Sequence, residues 1–553
     1  MADNETEQVQ KYLKKIAVLE EERQTWDIRN QDIADYMMPN RGKFPLTSDQ
    51  EPNTGTRRDD KIINETATYA MRIPIAGMIS GLSSPASEWF RITIEDKDLE
   101  KFTPVKEWLE TVRKGMRTLF QKSNFYTTLY VVYEEEIGFG TAVVIVESDN
   151  DTIVRYRPMT AGEYVLMTNE KGLVDTLGRS FHMTAEQMIE KFGKDKVSDT
   201  VRSTHERAPY KWFKVTHFIE PNKDRDDRKL DNLNMAYKSI YIENGQDHFL
   251  RKSGYEEQPM MAPRWKVTAQ RIYGDGLGSD ALGSTIMLQE LDKESLKAIY
   301  KMVDPPMVGP AAFTDMLDVS AGAFNASSGG AQNDKLESIY DINFNVEQVE
   351  AKIERVQNSI GRGFFNDLFL FLQEHPQATA TEILEKKAEK VMLLGPVITR
   401  QQDELFDPMF ERTFGVAYRA DYFPLPPTEL EGHDLEIEYI SQLAIAQRLA
   451  GVSGIYDYLA FIGQAAEVQP NVVDKFDGDE AADALAEKLG IPPKIVPGQE
   501  VIAQKRQARL KAQIEAKRAE DAAAGAQELK DLSQAKLGDE NVLSAIVKPK
   551  EGE

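Results

Sequence analysis

With 553 residues, 41% of them hydrophobic and 29% charged, the chain is long enough for about three or four units with a sizeable core, and it fits neither a membrane-embedded nor a disordered class. It has no cysteine, which excludes disulfides, thiolate nucleophiles and Cys-ligated zinc or iron–sulfur sites and suits a reducing compartment. Its net charge of −24, from 67 basic against 91 acidic residues, means that on average its surface repels DNA; solubility accounts for this, as would a surface that stands near nucleic acid without adhering.

Residues 1–7 are acidic and polar, and no apolar run approaches about 18 residues, so neither a secretory signal nor a transmembrane helix is expected. Val9, Leu13, Ile16, Leu19, Trp26, Ile33 and Met37 recur at helical spacing and predict one long helix over 9–38, stopped by Pro39. Residues 40–60 read as a polar, extended arm. From 61 to 85 the pattern is helical and apolar nearly all round, through Ala67, Ala70, Ile73, Ile75, Met78, Ile79 and Leu82, which predicts burial in a core or between subunits. Residues 89–94 have strand chemistry. A helix over 104–136 carries an aromatic stripe of Phe120, Phe125, Tyr126, Leu129, Tyr130 and Tyr133, read as core packing.

Between 137 and 270 strands cluster at 142–146, 153–156, 164–167, 213–219 and 239–242, with a short helix near 184–192. Strands grouped together with helices on either side predict an α+β fold. A helix over 280–303 follows, capped by Ser279/Asp280, ended by Pro305-Pro306 and about 35 Å long. Short strands and loops occupy 307–345. A second helix, 346–363, has Val346, Val349, Ile353, Val356 and Ile360 on one face, and the two helices around the module would pair antiparallel as a stalk. A break at 364–379 contains Phe369, Leu370, Phe371 and Leu372. Beyond it come a helix over 380–419, interrupted near Gly395-Pro396 and enclosing Arg400, Glu404 and Arg412, an amphipathic stretch at 438–466, and a locally basic, solvated helix from Val501 to Glu520.

No catalytic, cofactor or metal constellation is legible in the sequence. The Gly-Lys pairs at Gly42 and Gly193 lack the spacing and hydroxyl of a P-loop. The run Tyr273-Gly274-Asp275-Gly276-Leu277-Gly278-Ser279 is G-x-G-x-G, which reads as a flexible hinge feeding the long helix. Six histidines form no close pair, Gly451-Val452-Ser453-Gly454 misses the nucleophile elbow by one residue, and Asp224, Asp226, Asp227 and Asp231 lack the Gly and Glu of a calcium loop.

An ordered set of segments carries a resemblance. They are Thr66 to Ala70, Gly81-Leu82-Ser83-Ser84-Pro85 into Glu88-Trp89-Phe90, and Glu136-Ile137-Gly138-Phe139-Gly140-Thr141-Ala142. Pro263-Arg264-Trp265 with Tyr273-Gly274, Asp304-Pro305-Pro306-Met307, Ala378 to Ile383 and Leu394-Gly395-Pro396 complete it. Each is weak alone. In this order, over about 65–430, the chain resembles the head-to-tail connector, or portal, proteins of short-tailed bacteriophages.

The resemblance implies an α+β portal fold assembled as a twelve-subunit homo-oligomeric ring at one capsid vertex of the virion, put together in the host cytoplasm, with no enzymatic activity and no cofactor. It implies a wing at 1–279 and 379–470, stem helices at 280–303 and 346–363, a clip at 304–345, a channel loop at 364–378 and a crown at 471–553. The implied partners are double-stranded DNA passing non-specifically through the axis, the terminase and then tail adaptor proteins at the clip, and the major capsid and scaffolding proteins, with no membrane. Twelve copies at −24 each would carry about −288, opposing a duplex with one charge per about 1.7 Å. Lys352, Arg355 and Arg362 would then weakly centre the duplex or form intersubunit salt bridges, and Phe369, Leu370, Phe371 and Leu372 would either offer it a sequence-blind apolar surface or pack as core. A tail adaptor or internal core protein is the alternative, and it would lack the helix–module–helix insertion.

Overall fold

The computed structural model describes residues 2–41, 61–100, 102–226, 228–229, 231–246, 248–303, 307–308, 337–338, 346–374, 392–441, 443, 453–488, 499–534, 536–537 and 540–541. The chain divides into two compact units, Met1–Ala450 and Gly451–Glu553.

Helix α1 (Ala2–Met37) buries its apolar residues in turn along its length. Val9, Ile16 and Leu19 pack on a sheet with Val165, Phe218 and Ile242, while Ile33 and Met37 enter the main core. The arm expected over 40–60 lies outside the described residues from 42 onward. Helix α2 (Thr66–Leu82) is buried through Ala67, Ala70, Met71, Ile75, Met78 and Leu82, and stays helical across Pro74. After β1 (Phe90–Ile94) and α3 (Lys97–Glu100), the single helix expected over 104–136 is two, α4 (Thr103–Lys122) and α5 (Phe125–Phe139). Asn124 breaks it: its side chain donates to the Tyr156 carbonyl at 2.6 Å and accepts from the Tyr156 N–H at 2.9 Å, holding the junction against β3. The aromatic stripe is core at Phe120, Phe125, Leu129 and Tyr133, where it joins Trp89 and Phe410, but Tyr130 is exposed.

The hairpin β2 (Val143–Asp149) and β3 (Ile153–Met159) forms a three-stranded sheet with β9 (Met260–Met261), in the order β3-β2-β9. A five-stranded antiparallel sheet runs in sequence order through β4 (Tyr164–Thr168), β5 (Val174–Thr184), β6 (Trp212–Pro221), β7 (Tyr237–Glu243) and β8 (Phe249–Tyr255). Helices α6 (Ala185–Phe192) and α7 (Asp199–Arg207) sit between β5 and β6, α6 held by a capping box of Thr184 and Gln187. Strands β5 and β8 and helix α7 escape pattern reading. In β5 the polar run Gly178-Arg179-Ser180 interrupts the apolar signal, and Gly178 is there because Ile16 and Val165 fill the space of its missing side chain.

Helix α8 (Leu277–Val303) begins before the expected cap; Ser279 and Asp280 lie inside its first turn, and the buried Ser279 hydroxyl has no hydrogen-bond partner among the described residues. Strands β10 (Met307–Val308) and β11 (Glu337–Ser338) pair antiparallel and are the described part of 304–345. Helix α9 (Val346–Gly363) matches its expected span. The loop expected over 364–378 is instead helical as α10 (Asn366–Glu374), and 375–391 lie outside the described residues. Helix α11 (Gly395–Gln401) starts at the Gly-Pro pair, widens into a π-helical turn at Gln402–Phe406 and continues as α12 (Asp407–Arg419).

The amphipathic stretch read from 438 overlaps a strand. In β12 (Leu435–Tyr439) the period-two alternation Leu435, Ile437, Tyr439 pairs with β1 from Phe90↔Tyr439 to Ile94↔Leu435, closing the first unit across more than 340 residues of sequence. The second unit comprises α13 (Ser453–Val468), α14 (Gly478–Lys488), α15 (Gln499–Gln534) and the two-stranded β13–β14 ribbon at Lys536–Leu537 and Glu540–Asn541; Lys505, Arg506, Leu510 and Ile514 on α15 are exposed. No helix among the described residues is long and apolar enough to cross a membrane.

Candidate DNA-channel surface and the root of the paired helices

Helices α8 and α9 run antiparallel, the end of α9 meeting the start of α8 where Gly363 lies against Ala281. Val356 and Ile360 bury the inner face of α9, and its outer face is polar. Gln348, Lys352, Arg355, Ser359 and Arg362 follow each other at intervals of four, three, four and three residues, so they form one stripe along that outer face. Lys352 and Arg362 are ten positions apart, about 15 Å along the axis. Lys352 and Arg355, with Gln348 and Ser359, line a shallow depression of about 530 Å³. All three cations are exposed and, among the described residues, none has a carboxylate within 4 Å. Glu347, Glu350 and Glu354 lie off this stripe.

The structure therefore brings Lys352, Arg355 and Arg362 together. It treats the apolar cluster differently. Phe369 is 3% exposed, and its ring occupies the space a side chain on Gly77 would fill, with Cε1 at 2.6 Å and Cγ at 2.7 Å from that position. Phe369 is thus a packing residue of α10 against α2, joined by Phe364 and Leu368, and the expectation that it faces a channel is withdrawn. Leu370 is half-buried in the same helix; the side chains of Phe371 and Leu372 lie outside what the structure describes.

Sequence reading missed what holds the helix pair in place. The segment read as a flexible hinge is a close crossing of two backbones. A Cβ on Gly276 would stand 2.6 Å from the Gly140 nitrogen and 2.7 Å from the Glu136 and Ile137 carbonyl oxygens, and one on Gly278 would strike the Gly138 carbonyl. Gly140 caps α5 in the left-handed region at φ 92°, which favours glycine. Backbone bonds fix the crossing: Trp265 N–H donates to Gly140 O at 3.0 Å, Asp275 N–H to Lys266 O at 2.7 Å, and Gly274 N–H to the Thr141 hydroxyl at 2.8 Å. The signal was present as two glycine-spaced runs, 138–140 and 274–278, each of which makes room for the other.

Buried polar groups surround this root. Arg264 grips Glu404 in the π turn with Nε at 3.1 Å and Nη2 at 2.7 Å, and its backbone N–H adds a third bond to the same carboxylate. Glu136 is buried beside Gln401, which donates to it; burial first, then the nearby Glu404 charge, push the Glu136 carboxyl up to about 8. Burial likewise raises Glu135 to about 7 against the opposing pull of Arg41, 2.8 Å away. Higher on α8, the buried Gln289 accepts from the Ile63 and Asn64 N–H groups at 2.7 and 2.8 Å and donates to Asn64 O, tying the helix to the start of α2. Among the described residues no group of three or more His, Asp or Glu side chains is placed to hold a metal ion.

Comparison with known proteins follows the same span. Residues 9–496 match the family described as "Bacteriophage head to tail connecting protein". The chain is 39% identical over 491 residues, 87% of this chain and 88% of the relative, to the "Probable portal protein" of Bordetella phage BPP-1. It is 37% identical over 556 positions, covering 99% of this chain and 98% of the relative, to the "Portal protein" of Salmonella phage epsilon15.

Proposed function

We propose, from the premise that this chain belongs to the bacteriophage head-to-tail connecting protein family, that it is a portal protein: a structural, non-enzymatic virion component at the capsid vertex. Twelve copies close into a ring, and the viral duplex passes along its axis during packaging and ejection. Wing, stem, clip and crown take the residue ranges given above. The clip receives the terminase and later the tail adaptors, while capsid and scaffolding proteins meet the outside.

The observation that carries this reading is the unsatisfied pair of helices. Leu296, Ile299, Tyr300 and Val303, at 45, 39, 70 and 79% exposure, form an i, i+3, i+4, i+7 apolar stripe on α8 that suits burial against a neighbouring copy. The cationic stripe of α9 supplies a few weak phosphate contacts in an otherwise anionic molecule. A conduit works best this way, since each strong phosphate contact is a trap that a moving duplex must escape.

Negative-stain microscopy of the purified full chain tests the reading. Closed rings with an axial hole are expected, and monomers at micromolar concentration overturn it. In such rings, Lys352→Gln with Arg355→Gln and Arg362→Gln should leave assembly intact and change DNA retention. Unchanged retention removes these three residues from the channel.

A further inference from the structure

A groove of about 1020 Å³ opens on the first unit where β1 and β12 meet α4 and α12. Its floor is apolar: the half-buried Phe414, Leu435 and Ile437 line it together with the buried Trp108, Phe410 and Leu430. Trp108 is fixed there by donating its indole N–H to the Pro424 carbonyl at 2.9 Å. The rim is acidic: Asp403, Asp407, Glu411, Asp434 and Glu436 all line the opening, with His433 the one basic side chain among the lining residues.

Several carboxylates elsewhere on this unit are matched by cations. Glu110 holds Arg113 and Lys114, and Glu257 holds Arg412 and Arg419. Among the described residues none of the five rim carboxylates has a Lys or Arg within 4 Å, and Asp407 has only the Tyr439 hydroxyl as a donor. Burial and a like-charged neighbour, Asp403 for Asp407 and Glu257 for Glu411, raise both carboxyls above their ordinary range. Negative charges crowded over an aromatic floor gain most from a ligand that brings cations and apolar groups together.

We propose that this groove docks a basic amphipathic segment of a partner protein, its apolar side chains on the Trp108–Phe414 floor and its Lys or Arg side chains on the rim. Nucleic acid is a poor occupant, because five unpaired carboxylates oppose its phosphates. A second copy is the competing occupant, and the oligomeric state of the groove variant separates it from a partner protein. The proposal does not depend on ring closure.

The probe is a fluorescein-labelled helical Lys/Leu peptide, titrated with the full chain by anisotropy at physiological ionic strength. Saturable binding is expected, about ten-fold weaker for Asp403→Asn with Asp434→Asn and Glu436→Gln. A Lys/Ser peptide of equal charge should also bind about ten-fold less well. Glu5→Gln with Glu7→Gln and Glu21→Gln removes the same charge from exposed positions on α1 and should leave affinity within about two-fold. Equal weakening by both triple variants would mean a general field rather than a site, and equal binding of the two peptides would remove the apolar floor from recognition. If the groove variant instead changes the oligomeric state in sedimentation velocity, the occupant is a second copy and the proposal is wrong.

Discussion

Gly140→Ala tests the crossing that roots α8. Two separable penalties meet at this position. An L-residue at φ 92° costs about 1–2 kcal/mol. Its Cβ would stand 2.5 Å from the Gly276 nitrogen and 2.6 Å from the Asp275 carbonyl carbon, and since both are backbone atoms no side chain can swing away; overpacking of that kind costs about 1–3 kcal/mol. The sum is about 2–5 kcal/mol. Gly245→Ala is the internal control: φ is 81° but nothing lies within 4 Å, so only the backbone penalty of about 1–2 kcal/mol applies. All five tryptophans, Trp26, Trp89, Trp108, Trp212 and Trp265, belong to the first unit, so urea unfolding followed by their emission reports on that unit. Gly140→Ala should lower the midpoint well beyond Gly245→Ala. Equal shifts would show that the two backbones have room to part, and that the segment is the hinge its glycines suggest.

Glu136→Gln addresses the buried carboxyl beside Gln401. Its folded value of about 8 exceeds the ordinary 4.5, so the unfolded chain loses the proton first, and the wild type loses stability as pH rises between those values and levels off above about 8. The variant lacks this slope, so the stability difference between wild type and variant should change from pH 5 to pH 8 and then stay constant; parallel profiles would contradict the buried acid. Phe369→Ala should cost about 3–5 kcal/mol if the ring is core. Gly77→Ala should be less harmful in the Phe369→Ala background than alone, because the ring it strikes is gone, with a coupling of about 0.5–3 kcal/mol in the double-mutant cycle. A Phe369→Ala chain as stable as wild type would return this side chain to the channel reading.

Much of the fold was legible because amphipathic period is a local signal. Helices α1, α2 and α9 and strand β1 follow from apolar spacing, with ends of α1 and α2 off by up to seven residues, and the strand cluster after Gly140 follows from β-branched runs bounded by turn residues. What failed was set by distant partners. Asn124 interrupts a continuous helical pattern because Tyr156, on another element, offers it two backbone bonds. Phe369 sits in an apolar run that reads equally as loop or core, and only the vacancy at Gly77 decides. The cations of α9 can be picked out one by one in the sequence, but their common stripe appears only when Lys352, Arg355 and Arg362 are counted with Gln348 and Ser359 at alternating three- and four-residue steps. Nothing in the sequence around Asp403, Asp407 or Asp434 marks a groove, because its walls come from several elements far apart in the chain.

The position of that stripe depends on groups far from it. Lys352 lies eleven residues, about 16 Å, from Gly363 at the root, so a tilt of about 10° there moves it by about 3 Å, enough to make or break a phosphate contact. Anything that must stand at a constant distance from a moving duplex therefore needs a stiff root more than it needs a strong binding group. Three interlocking devices oppose the tilt: glycine backbones in direct contact, Arg264 with three bonds to Glu404, and Gln289 bridging to the start of α2. None of them resembles a functional motif, and only Gly138, Gly140, Gly274 and Arg264 among them fall in the segments that carry the family resemblance.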